Sequence, residues 1–136
     1  MNKLVEFIDT HCHLNLSNFK NDLDQVIDRA LENGVTTFIV PGYDLETSRA
    51  AVTLAEKYPQ VFAAVGIHPN SAFEWNREVL HEFNILSTHP KVAAIGEIGL
   101  DYYRDHTTPQ QQEDALCPQL ELAAMHKLQV IIHSRK

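Results

Sequence analysis

Residues 35–40, 61–65, 92–95 and 129–132 are short runs of Val, Ile, Ala and Phe with few polar interruptions. Runs this apolar fit strands buried on both faces, as in a parallel sheet covered by helices. Between them lie stretches with helical periodicity. Residues 22–33 carry Leu23, Val26, Ile27, Ala30 and Leu31, the stripe of an amphipathic helix, and Gly34 closes it. Asp44 caps a second helix that runs through Ala51, Val52 and Ala55 to about Tyr58, with Pro59 as its stop. A third, over 72–87, carries Trp75, Val79, Phe83 and Leu86. Thr108 caps a fourth, with Pro109 at its first position and Gln111 completing a capping box. That helix extends to about Lys127, and Pro118 inside it predicts a kink or two short helices.

Residues 7–13, Phe-Ile-Asp-Thr-His-Cys-His, read as a first strand ending in two histidines. Five strands alternating with four helices imply a parallel sheet with right-handed crossovers. Two architectures compete, an open doubly wound sheet and a β/α barrel. The glycine fingerprint of a dinucleotide fold is missing after the first strand, where His11-Cys12-His13 stands instead.

The 136 residues carry a formal net charge of -7, which argues against a broad basic groove for nucleic acid. A nucleic-acid substrate stays possible, because bound metal ions supply positive charge locally. Contact with a strand end is then expected, not with a long duplex. Cys12 and Cys117 form no Cys-x-x-Cys pair and are too few for a disulfide scaffold, so a reduced, cytoplasmic setting is expected. The N-terminus has Lys3 and Glu6 but no apolar run of signal-peptide length, and no stretch is apolar enough for a membrane span.

Side chains on a strand alternate faces, so His11 and His13 point the same way, with Asp9 on that face as a candidate to orient a ligand histidine. His68 follows the third strand, Glu97 the fourth and His133 the fifth. In a β/α barrel these strand ends share one rim, where the active site sits. Each residue has a bland reading: His68 as a loop histidine, Glu97 as part of a surface turn, His133 as a core histidine. Four of five strands presenting a ligand type on one rim point instead to a metal site. Imidazoles and a carboxylate suit zinc, manganese, iron or magnesium, and Glu97 alone is placed to bridge two ions. Metal-assisted hydrolysis is the reaction class that follows. Arg135, two residues past His133, is a candidate clamp for a phosphate or carboxylate, or else a solvated terminal side chain.

Asp9-Thr10-His11-Cys12-His13-Leu14, Gly66-Ile67-His68-Pro69, Gly96-Glu97-Ile98-Gly99-Leu100-Asp101-Tyr102-Tyr103 and Ile132-His133-Ser134-Arg135 together resemble the TatD family of metal-dependent hydrolases. The resemblance spans the whole chain, with the motifs in order. It implies an α/β fold, the first five strands of a (β/α)8 TIM barrel, with 1–136 as the N-terminal portion of one such domain. It also implies a divalent-metal deoxyribonuclease, in several members a 3′→5′ exonuclease, acting on single-stranded DNA or 3′ ends. By position, His11 and His13 bind one metal, Glu97 bridges two, and His133 binds the second, the ions being Mg, Mn or Zn. His68 then sits at the substrate phosphate or in the metal shell, Glu97 and His68 are the catalytic residues, and Arg135 and His68 bind substrate.

The family's strand-six histidine and strand-eight aspartate, the latter its expected general base, have no counterpart in these 136 residues. Asn70 stands where many relatives carry another histidine. The isolated chain is therefore expected to hydrolyse DNA weakly or not at all, and to self-associate through open sheet edges. Two other readings are a related barrel hydrolase of an amide, ester or lactone, and a non-catalytic metal-binding fragment.

Overall fold

Five parallel strands lie side by side in chain order: β1 (Phe7–Asp9), β2 (Val35–Pro41), β3 (Val61–Val65), β4 (Val92–Asp101) and β5 (Gln129–Arg135). The computed structural model describes residues 5–136; Lys3 lies outside them. Strictly sequential order excludes the doubly wound alternative, in which strand order reverses. Each crossover carries a helix: α1 (Leu23–Glu32), α2 (Leu45–Lys57), α3 (Arg77–Leu86) and α4 (Pro109–His126). Right-handed connections in unbroken order put every helix on the same face of the sheet, which curls as a half-barrel. Among the described residues no helix is long and apolar enough to cross a membrane.

The core lies between sheet and helices. Val40, Val61, Ala63, Val65 and Ile98 are fully buried, against Ala51, Ala55 and Phe83. The outer strands differ: Phe7 and Ile8 on β1 and Ile132 on β5 are more than half exposed. The caps read from sequence are present. Asp44 and Thr47 form a capping box on α2, and Thr108 and Gln111 form one on α4. Gly34 takes φ +88 after α1, a conformation that glycine adopts without a Cβ penalty.

Five elements depart from expectation. β1 ends at Asp9, because the Asp9 carboxylate accepts the His11 backbone N–H at 3.1 Å and bends the chain there. Asp9 thus holds the backbone of His11, not a ligand ring. β4 and β5 are longer than expected and run through Asp101 and Arg135. After an irregularity between Ile95 and Ile98, β4 pairs again with β5, from Ile98 opposite Ile132 to Asp101 opposite Arg135. The third helical stretch divides into a 3-10 segment, Pro69–Glu74, and α3, because Asn76 caps a new helix by accepting from the N–H groups of Glu78 and Val79. Conversely, α4 is one continuous helix across Pro118 and not two short ones. Buried residues on both sides, Gln112 and Ala115 before it and Gln119 and Leu122 after it, hold the helix against the sheet.

Candidate active site

The five sequence-derived ligand candidates come together: His11 and His13 follow β1, His68 follows β3, and Glu97 and His133 lie within the longer β4 and β5. His11 and His13 follow β1 in a loop that stays tied to β2, since the Cys12 N–H donates to the Ile39 carbonyl at 3.1 Å. The two rings meet edge to face with centroids 5.1 Å apart. Glu97 is set on β4 by its own N–H, which donates to the Gly42 carbonyl at 3.0 Å. One Glu97 oxygen is 3.4 Å from His11 Nε2, and the other is 3.0 Å from His133 Nδ1. The His68 ring lies 4.3 Å from that of His133, centroid to centroid. A cavity of about 350 Å³ opens here, lined by His13, Tyr43, His68, Asn70, Ser71 and Glu97.

Two donor groups result, His11–His13–Glu97 and His68–Glu97–His133, each with ligand atoms within 4.8 Å of one another. Glu97 belongs to both. Imidazole nitrogens with one shared carboxylate are a donor set suited to divalent ions. His13 Nδ1 is buried and has no hydrogen-bond partner, which fits an atom that faces a cation. The residues therefore fit the metal expected from sequence.

Arg135 ends β5, paired opposite Asp101. Its guanidinium lies 4.0 Å from the centroid of the exposed Tyr103 ring.

Asp101 was not singled out from sequence. It is 1 % exposed, and its Oδ2 lies 3.0 Å from His133 Nε2. The signal was the strand period: Glu97, Gly99 and Asp101 share one face of β4, which is visible only if the strand is carried past Ile95. Burial pushes the Asp101 carboxyl up. The Arg104 N–H, the His133 ring, the Tyr103 N–H and the Asn70 amide outweigh it and hold the group below the usual carboxylate range. His68 moves down as well, through burial first and the neighbouring His133 second, against the pull of Glu97 and Asp101.

Two buried glutamines on α4 were missed too. Gln119 accepts from the Ile67 N–H at 2.7 Å and donates to the Ile67 carbonyl at 3.3 Å, which anchors the residue before His68. Gln112 treats Asp101 in the same way, at 2.8 and 2.9 Å. Glutamine offers a donor and an acceptor side by side, so each clamps a backbone unit beyond the reach of the helix ladder.

The family profile described as TatD related DNase matches residues 8–136. The chain is 40% identical over 127 residues to a protein of Bacillus subtilis named uncharacterized metal-dependent hydrolase YabD, covering 93% of this chain and 50% of that one. It is 39% identical to the 3'-5' ssDNA/RNA exonuclease TatD of Cronobacter turicensis, covering 93% and 48%. Among solved structures, the TatD homologue YJJV of Escherichia coli K12 superimposes with a TM-score of 0.89 at 37% identity, over 96% of this chain and 51% of that one. A TatD-family hydrolase of Entamoeba histolytica gives 0.82 at 30% identity, over 96% and 50%. The chain thus spans about half the length of the relatives it matches. With the profile matching nearly the whole chain, it belongs to the TatD related DNase family.

Proposed function

We propose that these residues supply the metal-holding half of the active centre of a divalent-metal-dependent nuclease, a hydrolase of DNA phosphodiesters that works from single-stranded 3′ ends. One observation carries the reading: Glu97 lies between His11, at 3.4 Å, and His133, at 3.0 Å, and is shared by two donor groups. The 3'-5' ssDNA/RNA exonuclease relative supports the substrate class and direction. Residues 1–136 form the N-terminal portion of one TatD-like barrel domain in this reading.

A metal-dependent family implies divalent ions; two are proposed, of Mg, Mn or Zn. His11 and His13 would hold one, His133 the other, and Glu97 would serve both. Ions in such a site lower the pKa of water and offset charge on a phosphoryl oxygen. Glu97 fixes the spacing of the two halves. His68, whose pKa burial and His133 lower, reaches the substrate phosphate as a hydrogen-bond donor. Arg135, held over the Tyr103 ring, meets the next phosphate. A cytoplasmic setting is supported by the free thiols of Cys12 and Cys117. Self-association is proposed through β1 and β5, whose Phe7, Ile8, Val130 and Ile132 are exposed.

Manganese titration followed by digestion of end-labelled single-stranded DNA tests the reading. Two ions per chain are expected, with both sites lost in Glu97→Gln. Any nucleotide release depends on manganese and starts from the 3′ end. A chain that binds no manganese, or one that cleaves small esters or lactones and no oligonucleotide, would refute it.

A further inference from the structure

We infer that Asp101 is a positioning residue that fixes which nitrogen of His133 faces Glu97. Both ring nitrogens of His133 meet carboxylates at 3.0 Å, Nδ1 with Glu97 Oε1 and Nε2 with Asp101 Oδ2. The two carboxylates are not equivalent. Asp101 is immobile: its Oδ1 accepts the N–H groups of Tyr103 and Arg104 at 3.1 Å each, and its Oδ2 also accepts from Asn70 Nδ2 at 3.3 Å. Gln112, 1 % exposed, grips the N–H and carbonyl of the same residue. A carboxylate with no donor of its own demands a proton on the nitrogen it faces. Glu97 makes the same demand on Nδ1, but its side chain is 15% exposed and also faces His11, whereas Asp101 is 1% exposed and fixed from several sides. The one proton of the neutral ring therefore sits on Nε2, and the Nδ1 lone pair is directed into the Glu97 donor group. A partner on the far nitrogen orients a ligand imidazole and raises its basicity.

Asp101→Asn makes the relation testable. The two backbone N–H groups keep an oxygen where Oδ1 now stands, so the new amide nitrogen occupies the Oδ2 position, facing His133. An amide N–H there requires a lone pair on Nε2, which drives the proton to Nδ1 and closes the ligand position.

This inference rests on the metal role proposed for His133, and the two are separable by experiment. Nitrogen-15 NMR of the metal-free chain, above the ring's own titration in the same spectra, reports the tautomer directly. Nε2–H is expected in the wild type and Nδ1–H in Asp101→Asn, with manganese affinity of the variant reduced about 10- to 100-fold. Nδ1–H in the wild type overturns the inference without any variant, so a misfolded Asp101→Asn does not shelter it. So does a folded variant that keeps Nε2–H or wild-type manganese affinity. A wild-type chain with Nε2–H that binds no manganese refutes the metal reading instead.

Discussion

Gly99 and His133 face each other across β4 and β5 so closely that a Cβ on Gly99 would stand 1.9 Å from the His133 carbonyl oxygen. Gly99 also has φ +147, a backbone that other residues rarely adopt. The closeness of the two strands sets how far His133 reaches over the rim. Gly99→Ala is therefore expected to push β5 away, to destabilise the chain by about 3 kcal/mol, and to weaken manganese binding through His133. Urea midpoints and metal titrations check both effects. An unchanged midpoint would mean that β5 moves freely here.

The two cysteines are expected to differ sharply towards alkylating reagents. Burial, with the Asp9 carboxylate adding to it, pushes the Cys12 thiol up to about 12. At pH 8 only about one in ten thousand such groups is a thiolate. Cys117 is exposed. Iodoacetamide followed by peptide mass mapping should show Cys117 modified and Cys12 intact in the folded chain. Equal labelling rates would contradict this environment for Cys12.

Acid should destabilise the metal-free chain in two stages. His68 is depressed below its ordinary 6.5, and Asp101 below its ordinary 3.8. For each, the unfolded chain takes up a proton before the folded one does as the pH falls. The stability contributed by His68 is full above about 6.5 and declines below it, until the folded ring also titrates. That of Asp101 persists to about 3.8 and is lost beneath it. Urea midpoints against pH should show the first decline in the wild type and its absence in His68→Gln. Stability that stays level from pH 7 to pH 5 would count against the His68 environment.

Asn76→Ala is expected to cost about 1 kcal/mol, because the side chain satisfies two N–H groups at the start of α3. Thermal melts measure the change, and Asn76→Ser should recover most of it. No loss in the alanine variant would show that packing of Phe83, not the cap, holds the helix start.

Legibility from sequence followed the physics of each element. Buried strands and amphipathic helices announce themselves by period, so α1, α2, β2 and β3 were placed within a residue or two. Ligands at strand ends were legible because a β/α sheet collects those ends on one side. Asn76 was hidden by an apolar stripe that happens to continue through Trp75. Asp101 was hidden by the glycines of β4, which imitate the end of a strand. Gln112 and Gln119 carry no one-dimensional signature at all. Their partners, Asp101 and Ile67, are fixed only once α4 has docked. Pro118 left two short helices open, and packing on both sides keeps one helix instead.

His11 follows β1 and Glu97 lies on β4, with β2 and β3 between their strands. In a flat sheet two strands so placed hold their side chains well over 10 Å apart, given roughly 4.8 Å per strand, yet these two meet at 3.4 Å. Their separation is thus a gauge of sheet curvature. A cation shared by them would act as a clasp across the curled sheet, so that gripping the ion and bending the sheet would be a single mechanical degree of freedom.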